Sequence, residues 1–353
     1  MVCESPPEQT GSRRLPWGGL PQSVRSGIED VFGRKAAVAT SLPGGFSEGL
    51  AARLESADGR KAFAKAVDAT AAPAVGAFHR REIATVRALP PGTPSPRLLG
   101  SFEDGGWVAL VFEHVDGTLP AQPWREAELE RVLDALTGLA ERLTPAPALE
   151  VAPGAPRLGG WARLAGDHRA MTRLAELAPG AALDLDLHLR LEADLDEATA
   201  GETLTHGDLY PFNVLLTGER AVFVDWPHAR VGPAHADLVT LLSSVALSGI
   251  DPEPFVARAP LTSGVEPEAV DVLISAQAGF LLASSCTAGP AADPHLVRMM
   301  TRLGLACLRW LSARRGTNGR PGRASWGRGL PVCASGSCVV TGAGRSGGGP
   351  GAA

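Results

Sequence analysis

The stretch "LTHGDLYPFNVLL", Leu204 to Leu216, followed by "AVFVDW", Ala221 to Trp226, decides how this chain is read. It holds the chain's only tyrosine, Tyr210, and one of its two asparagines, Asn213. Asp208 and Asn213 stand five residues apart, and Asp225 follows twelve residues after Asn213. Two short apolar runs, "NVLLT" and "AVFVDW", flank the turn residues Gly218-Glu219, a pattern that predicts a hairpin. Folding that hairpin brings Asp225 beside Asn213 and leaves Asp208 at the mouth. An amide oxygen, one carboxylate beside it and a second carboxylate free suit a hard cation such as Mg²⁺. Each residue taken singly also fits a turn whose Asp and Asn bond their own backbone. Gathered on adjoining strand ends, they mark a site.

Phosphoryl chemistry through a metal needs a phosphate-binding loop and a cation held by a carboxylate. Upstream, "KAAVATSLPGGFSEG" and "LAARLESADGRKAFAKAV" pair β-prone runs with turn signals. The second reads as a hairpin turning at Asp58-Gly59, with Lys65 on its returning strand. Gly44, Gly45 and Ser47 lie between the two runs, where glycine lets backbone N–H groups approach phosphate. A Gly-Gly hairpin turn explains that loop equally well. The segment "VGAFHRREIATVRALP" has helical apolar spacing ended by Pro90-Pro91, and places Glu82 on a helix. Lys35, Lys61 and Lys65 are the only lysines, against thirty arginines, so a Lys65–Glu82 pair stands out. An ammonium and a guanidinium are not equivalent in a tight site. With "WVALVFEHV" the unit reads strand–strand–helix–strand and ends near Gly117.

Beyond residue 125 the pattern turns helical. "EAELERVLDALTGLAERL" repeats apolar residues every three or four positions, and further helices are expected near Leu158–Leu177, Leu183–Ala200, Ala236–Ser248, Glu268–Ser285 and Pro294–Ser312. Residues 1–24 are polar and Pro/Gly-rich and read as a flexible arm. Residues 313–353 lack any acidic residue and read as a disordered Gly/Arg-rich tail. Acidic residues crowd between Asp184 and Glu202, as a solvated helix face or as a patch for a cationic substrate.

Glycine loop, strand lysine, helix glutamate, "HGDLYPFN" and "DW" in that order resemble the aminoglycoside phosphotransferase family, the small-molecule branch of the protein-kinase-like superfamily. The resemblance spans roughly residues 35–312. It implies a two-lobed α+β fold, with a small antiparallel-sheet N-lobe over residues 25–117 and a larger, mainly helical C-lobe over 118–312. It further implies Asp208 as the catalytic carboxylate, Asn213 and Asp225 as Mg²⁺ ligands, and Lys65 on the α/β-phosphates of ATP (or GTP) with Glu82 fixing it. Main-chain groups near Glu113 and Val115 would bind adenine, Gly44, Gly45 and Ser47 would cover the phosphates, and Asp237 would brace the loop. By the same resemblance His206 is a packing residue rather than a base. Where the family has small or polar residues after the loop leucine, this chain has "YPF". Trp226, in place of Phe-Gly, points away from protein kinases.

A net charge of −5 argues against a nucleic-acid partner. The five scattered cysteines suggest neither zinc site nor disulfide framework. The N-terminus lacks a signal-peptide pattern, and the uncharged run Val272 to Ala292 reads as buried helix and loop rather than a membrane span, so a cytoplasmic protein is expected. The acceptor expected is a small-molecule hydroxyl, in an aminoglycoside or another amino alcohol or sugar; nothing in the chain indicates an oligomeric state. Two rival readings carry other chemistry. One is a kinase-like protein that binds nucleotide or metabolite and transfers nothing. The other is a metal-dependent hydrolase using His206, Asp208, His228 and His235, although their spacing is unlike zinc-ligand pairs.

Overall fold

The computed structural model describes residues 14–42, 49–149 and 156–317. Helix α1 (Gln22–Phe32) precedes three strands, β1 (Ala36–Ser41), β2 (Leu50–Ser56) and β3 (Lys61–Asp68). Helix α2 (Pro73–Ala88) then leads to β4 (Leu98–Asp104) and β5 (Trp107–Glu113). The five strands form one antiparallel sheet in the order β1-β2-β3-β5-β4. Its two faces follow from the two-residue period of β structure. Ala62, Ala64 and Ala66 of β3 face Leu20, Val24 and Ile28, and Phe63 and Val67 face the side covered by α2 with Ile83. Small alanines on the α1 face let that helix pack closely. Lys65 shares the α2 face, which is what puts it within reach of Glu82.

Two expectations for this lobe change. Strand β4 breaks the expected strand–strand–helix–strand order: its Pro-flanked, Gly-interrupted sequence hides a strand that pairs with β5 across Gly105-Gly106, both at positive φ. The described part of the expected arm, residues 14–24, is packed. Arg14 bridges to Gly49, the Leu15 N–H donates to the Gly49 carbonyl (3.0 Å), and Leu20 and Val24 are buried against the sheet. Apolar cover for one sheet face orders a segment whose composition reads as loose.

The second lobe starts with α3 (Glu126–Arg142), followed by α4 (Trp161–Ala165), α5 (His168–Leu177), α6 (Pro179–Leu183), α7 (Leu185–Ala193) and α8 (Leu195–Ala198). Short strands β6 (Thr203–Thr205), β7 (Val214–Leu216), β8 (Ala221–Phe223) and β9 (Arg230–Gly232) pair as β6-β9 and β7-β8. Helices α9 (Ala236–Leu247), α10 (Glu253–Arg258), α11 (Pro267–Cys286) and α12 (Pro294–Thr317) complete it. The single helix expected over Leu158–Leu177 is two, because Asp167 caps α5 by accepting from the N–H groups of Arg169 and Ala170. Helix α11 is long and apolar enough by composition to cross a membrane, yet 83% of its apolar window is buried inside this lobe.

Helix α12 continues through Thr317, past the point where the tail was expected to begin. Arg314 explains the extension: its guanidinium reaches Asp271 of α11 (2.6 Å) and Glu253 of α10 (2.6 Å), and Arg315 also meets Asp271 (2.8 Å). Asp271 is 4% exposed, so the last helical turn is tied to a buried charge. Arg314→Met should therefore cost about 3 kcal/mol in urea unfolding, the low end for a broken buried pair because Arg315 still reaches Asp271. A change within about 0.5 kcal/mol, typical of surface substitutions, would show that the turn is not anchored this way.

Candidate active site

The lobes meet around Lys65. Its ammonium donates to both oxygens of Glu82 (2.8 and 2.9 Å) and to Oδ1 of Asp225 (2.7 Å), joining β3, α2 and the segment after β8. Burial alone would favour a neutral amine, but Asp225 and Glu82 together hold Lys65 above its ordinary range. Burial likewise opposes the charge on Asp225, and Lys65 overcomes it, bringing that carboxyl down to about 2. Glu82, 2% exposed, is pushed upward by burial against the pull of Lys65. One ammonium between two carboxylates leaves these three groups with a net negative charge, against which the Arg14 guanidinium also acts on Asp225. Asp225 has φ +70°, the one positive value for a non-glycine among the described residues. An Asp tolerates this left-handed conformation better than most side chains.

The "HGDLYPFN" loop runs from β6 into a turn of 3₁₀ helix, Pro211–Asn213. Asp237, at the start of α9, accepts from the backbone N–H groups of His206 (2.6 Å) and Gly207 (2.9 Å). Gly207 has φ +74°, and a Cβ there would lie 2.2 Å from the His228 carbonyl oxygen. Only glycine fits. The His206 ring donates from Nε2 to the Val224 carbonyl (2.9 Å) and packs on Trp226, with ring centroids 4.6 Å apart. Its role is packing and bracing. Asn213 Nδ2 donates to the Asp208 carbonyl (2.8 Å) and to its Oδ2 (3.3 Å). That use of the amide nitrogen leaves the amide oxygen of Asn213 for a cation. The Val224 N–H donates to the Asn213 carbonyl (3.0 Å), so Asn213 and Asp225 sit on adjoining strand ends as the hairpin requires.

Asp208 is 7% exposed and meets the guanidinium of Arg157 at 3.2 Å. Burial drives its pKa up to about 7, with Arg157 pulling the other way and the nearby charge of Asp225 adding to the rise. Arg157 also lies 3.1 Å from His228 Nε2, where burial and that guanidinium hold the imidazole neutral, near 3. Arg157, Arg230, Tyr210 and Gln277 line a cavity opening onto Asp208. The Tyr210 hydroxyl accepts from Gln277 Nε2 at 2.9 Å.

Lys65, Glu82, Asp208, Asn213 and Asp225 are therefore brought together. Glu113 ends β5 with its carboxylate turned to Arg97, whose N–H it accepts at 3.1 Å, and the Val115 carbonyl accepts from Gly117 (3.1 Å). Both lie on the connector to the second lobe. Gly44, Gly45 and Ser47 lie outside the described residues. The acidic stretch does not reach the cavity, and its Glu192 instead accepts from the N–H groups of Gly160, Trp161 and Ala162 at the start of α4. Among the described residues no three His, Cys, Asp or Glu side chains are gathered to hold a metal, so His206, Asp208, His228 and His235 do not form the hydrolase centre considered above. Arg157, Arg230 and Gln277 escaped the sequence reading, since an arginine carries little signal among thirty.

A model of the phosphotransferase enzyme family (APH) matches residues 39–269, well over half the chain. The chain belongs to that family. Among solved structures, a thermostable mutant of the aminoglycoside phosphotransferase APH(4)-Ia, in ternary complex with ADP and hygromycin B, is 15% identical and covers 82% of this chain and 99% of its own, with a TM-score of 0.55. A choline/ethanolamine kinase family protein from Mesorhizobium loti is also 15% identical, over 83% of this chain and 98% of its own, at 0.52. These likenesses establish the two-lobed kinase-like fold. A curated relative, the Protein LicA homolog of Mycoplasma capricolum, is 32% identical over 72 residues. That match covers 20% of this chain and 30% of the relative, so the chain spans under a third of it. In this chain a kinase-like fold thus carries a cleft that gathers an acid, an amide and a paired lysine.

A buried carboxyl whose folded pKa exceeds its unfolded value binds protons more readily in the folded state. Its contribution is most favourable below the unfolded value of 3.8 and is lost as the pH rises toward about 7. At about 1.36 kcal/mol per unit, the ionised Asp208 burdens the fold by on the order of 4 kcal/mol, with the Arg157 attraction already included. Asp208→Asn should accordingly unfold at a higher temperature than the wild type at pH 8, with the gap closing between pH 7 and 4. A gap independent of pH would contradict the buried carboxylate.

Proposed function

We propose that this chain transfers the γ-phosphoryl group of ATP, with Mg²⁺, to a hydroxyl of a small molecule. The observation that carries this reading is the ammonium of Lys65, held by Glu82 and Asp225 within 2.9 Å at the cleft between the lobes. Three carboxyl and ammonium groups of this kind, next to a buried Asp208 and an Asn213 with a free amide oxygen, match what nucleotide-dependent transfer requires. Lys65 would contact the nucleotide phosphates, with Glu82 fixing its position. Val115, whose carbonyl is engaged by Gly117, would offer its N–H to the base, near Glu113.

The residues present fit a divalent cation. Asn213 offers its amide oxygen, and Asp225 retains Oδ2 while Oδ1 accepts from Lys65. A divalent ion held there would lower the repulsion between these carboxylates and an entering polyphosphate. When bound, it would neutralise charge on the phosphates. Asp208 orients the acceptor hydroxyl and takes its proton as the oxygen attacks phosphorus, while the bond from phosphorus to the β–γ bridging oxygen breaks and ADP leaves. Because the chain offers no covalent intermediate, rate enhancement rests on positioning and charge. The carboxyl near pH 7 suits a base that must accept a proton under neutral conditions.

A nucleotide-binding protein without transfer is the alternative, and the two share the cleft. Thermal unfolding with Mg-ATP should raise the melting temperature of the wild type and of Asp208→Asn alike, whereas Asp225→Ala should lose the shift. Ligand at about 100 times its Kd contributes ~2.7 kcal/mol, an effect easily read. No response in the wild type would remove the kinase reading. If Asp208→Asn, folded and shifted by Mg-ATP, also turned over an acceptor at the wild-type rate, Asp208 would not be the base.

A further inference from the structure

The segment ahead of α1 brings a charge to the cleft that the proposed transfer leaves without a task. Arg14 forms a parallel bridge with Gly49, and the Leu15 N–H donates to the Gly49 carbonyl (3.0 Å). Gly49 immediately precedes β2. The Leu42 N–H, one residue past β1, donates to the Ala51 carbonyl (3.0 Å), and two residues nearer the start of β2 the neighbour of Gly49 is Arg14. The register settles which face Arg14 joins. Ala51 lies opposite Lys65, and Gly49 is two residues from Ala51, so Gly49 belongs to the Lys65 face. Bridged residues project to the same side of a sheet, which puts Arg14 on that face too. Leu15 packs with Leu20, Val24 and Leu50 on the other face, as alternation requires.

The half-buried Arg14 guanidinium is felt by the groups of the cleft. Burial opposes its charge, and the Asp225 carboxylate supports it. Burial first, and then Lys65, keeps the His79 imidazole neutral, near 4, with Asp225 opposing and Arg14 adding to the effect. His79 stands one turn ahead of Glu82 on α2 and contributes no charge at neutral pH. Lys65 and Arg14 therefore balance Glu82 and Asp225. Once Asp225 is given over to a divalent cation, that balance ends, and the guanidinium faces an anion brought with the cation. Its planar fork matches two phosphate oxygens at once, which the Lys65 ammonium cannot do.

We propose that Arg14 is a phosphate-binding residue, its guanidinium pairing with polyphosphate oxygens beside Lys65 when Asp225 holds the divalent cation. The proposal rests on the kinase reading for the identity of that ligand. It makes the N-terminal segment part of the nucleotide site as well as cover for the sheet. The bridge to Gly49 and the burial of Leu20 and Val24 fix the backbone that carries Arg14, so its placement costs little ordering when ligand enters.

Calorimetric titration of the full-length protein tests this, with Mg-ATP and Mg-ADP measured directly and adenosine by its displacement of Mg-ADP at millimolar concentration. Arg14→Gln should bind Mg-ATP at least about tenfold more weakly than the wild type, as expected when a charge-assisted hydrogen bond is lost, while adenosine binds both alike. Arg14→Lys should recover part of the loss, as a point charge without the fork. A loss confined to Mg-ATP places the contact on the γ-phosphate, and one shared with Mg-ADP places it nearer the base. Unchanged Mg-ATP affinity in Arg14→Gln overturns the proposal. Tighter binding overturns it too, since Arg14 would then only compete with the cation for Asp225. An equal loss for adenosine shows that the segment merely shapes the lobe, which also overturns it. A wild type that binds no Mg-ATP removes the kinase reading and the proposal with it, whereas a wild type that binds beside an unimpaired Arg14→Gln removes the proposal alone.

Discussion

Everything in this cleft depends on a single ammonium shared by two carboxylates from different lobes. Lys65 comes from the sheet, Glu82 from the helix behind it and Asp225 from the far side of the cleft. A buried ion pair is a poor source of net stability, because removing two charges from water costs about as much as their attraction returns. What such a cluster supplies here is placement. A strand, a helix and a segment of the other lobe are fixed by hydrogen bonds to one ammonium, at the cleft where the proposed nucleotide would sit. Asp225 is held in a left-handed conformation to complete it.

Behind that cluster, the "HGDLYPFN" loop is fixed through its backbone N–H groups and carbonyls. Asp237 takes two consecutive N–H groups, Gly207 permits a close approach to the His228 carbonyl, and Asn213 closes the turn onto Asp208. The consequence is electrostatic. Asp208 ends up buried with Arg157 as its nearby cation, which sets its proton affinity near neutrality. The same burial that raises the proton affinity of this carboxyl makes its ionised form unfavourable for folding.

Much of this was legible in the chain because local chemistry carried it. The spacing of Asp208, Asn213 and Asp225, the turn at Gly218-Glu219, the apolar period of α3 and the uncharged run of α11 each reflect constraints acting within about twenty residues. Strand β4 and the packing of residues 14–24 were not legible, since their order comes from a sheet face assembled elsewhere. The C-terminal turn of α12 was misread for a similar reason: nothing around Arg314 in sequence reveals Asp271, more than forty residues upstream.

The sequence by itself determined the family and the set of groups available for chemistry, because a lysine, a glutamate and an Asp–Asn–Asp spacing are properties of the chain. Tertiary structure alone decided which charges stay unpaired. Arg157 and Arg230 are two arginines among thirty, and only folding shows that one is matched by Asp208 while Nη1 of the other is buried beside it without a partner among the described residues. Burial and pairing depend on where distant segments converge, and that convergence gives the cleft its charge.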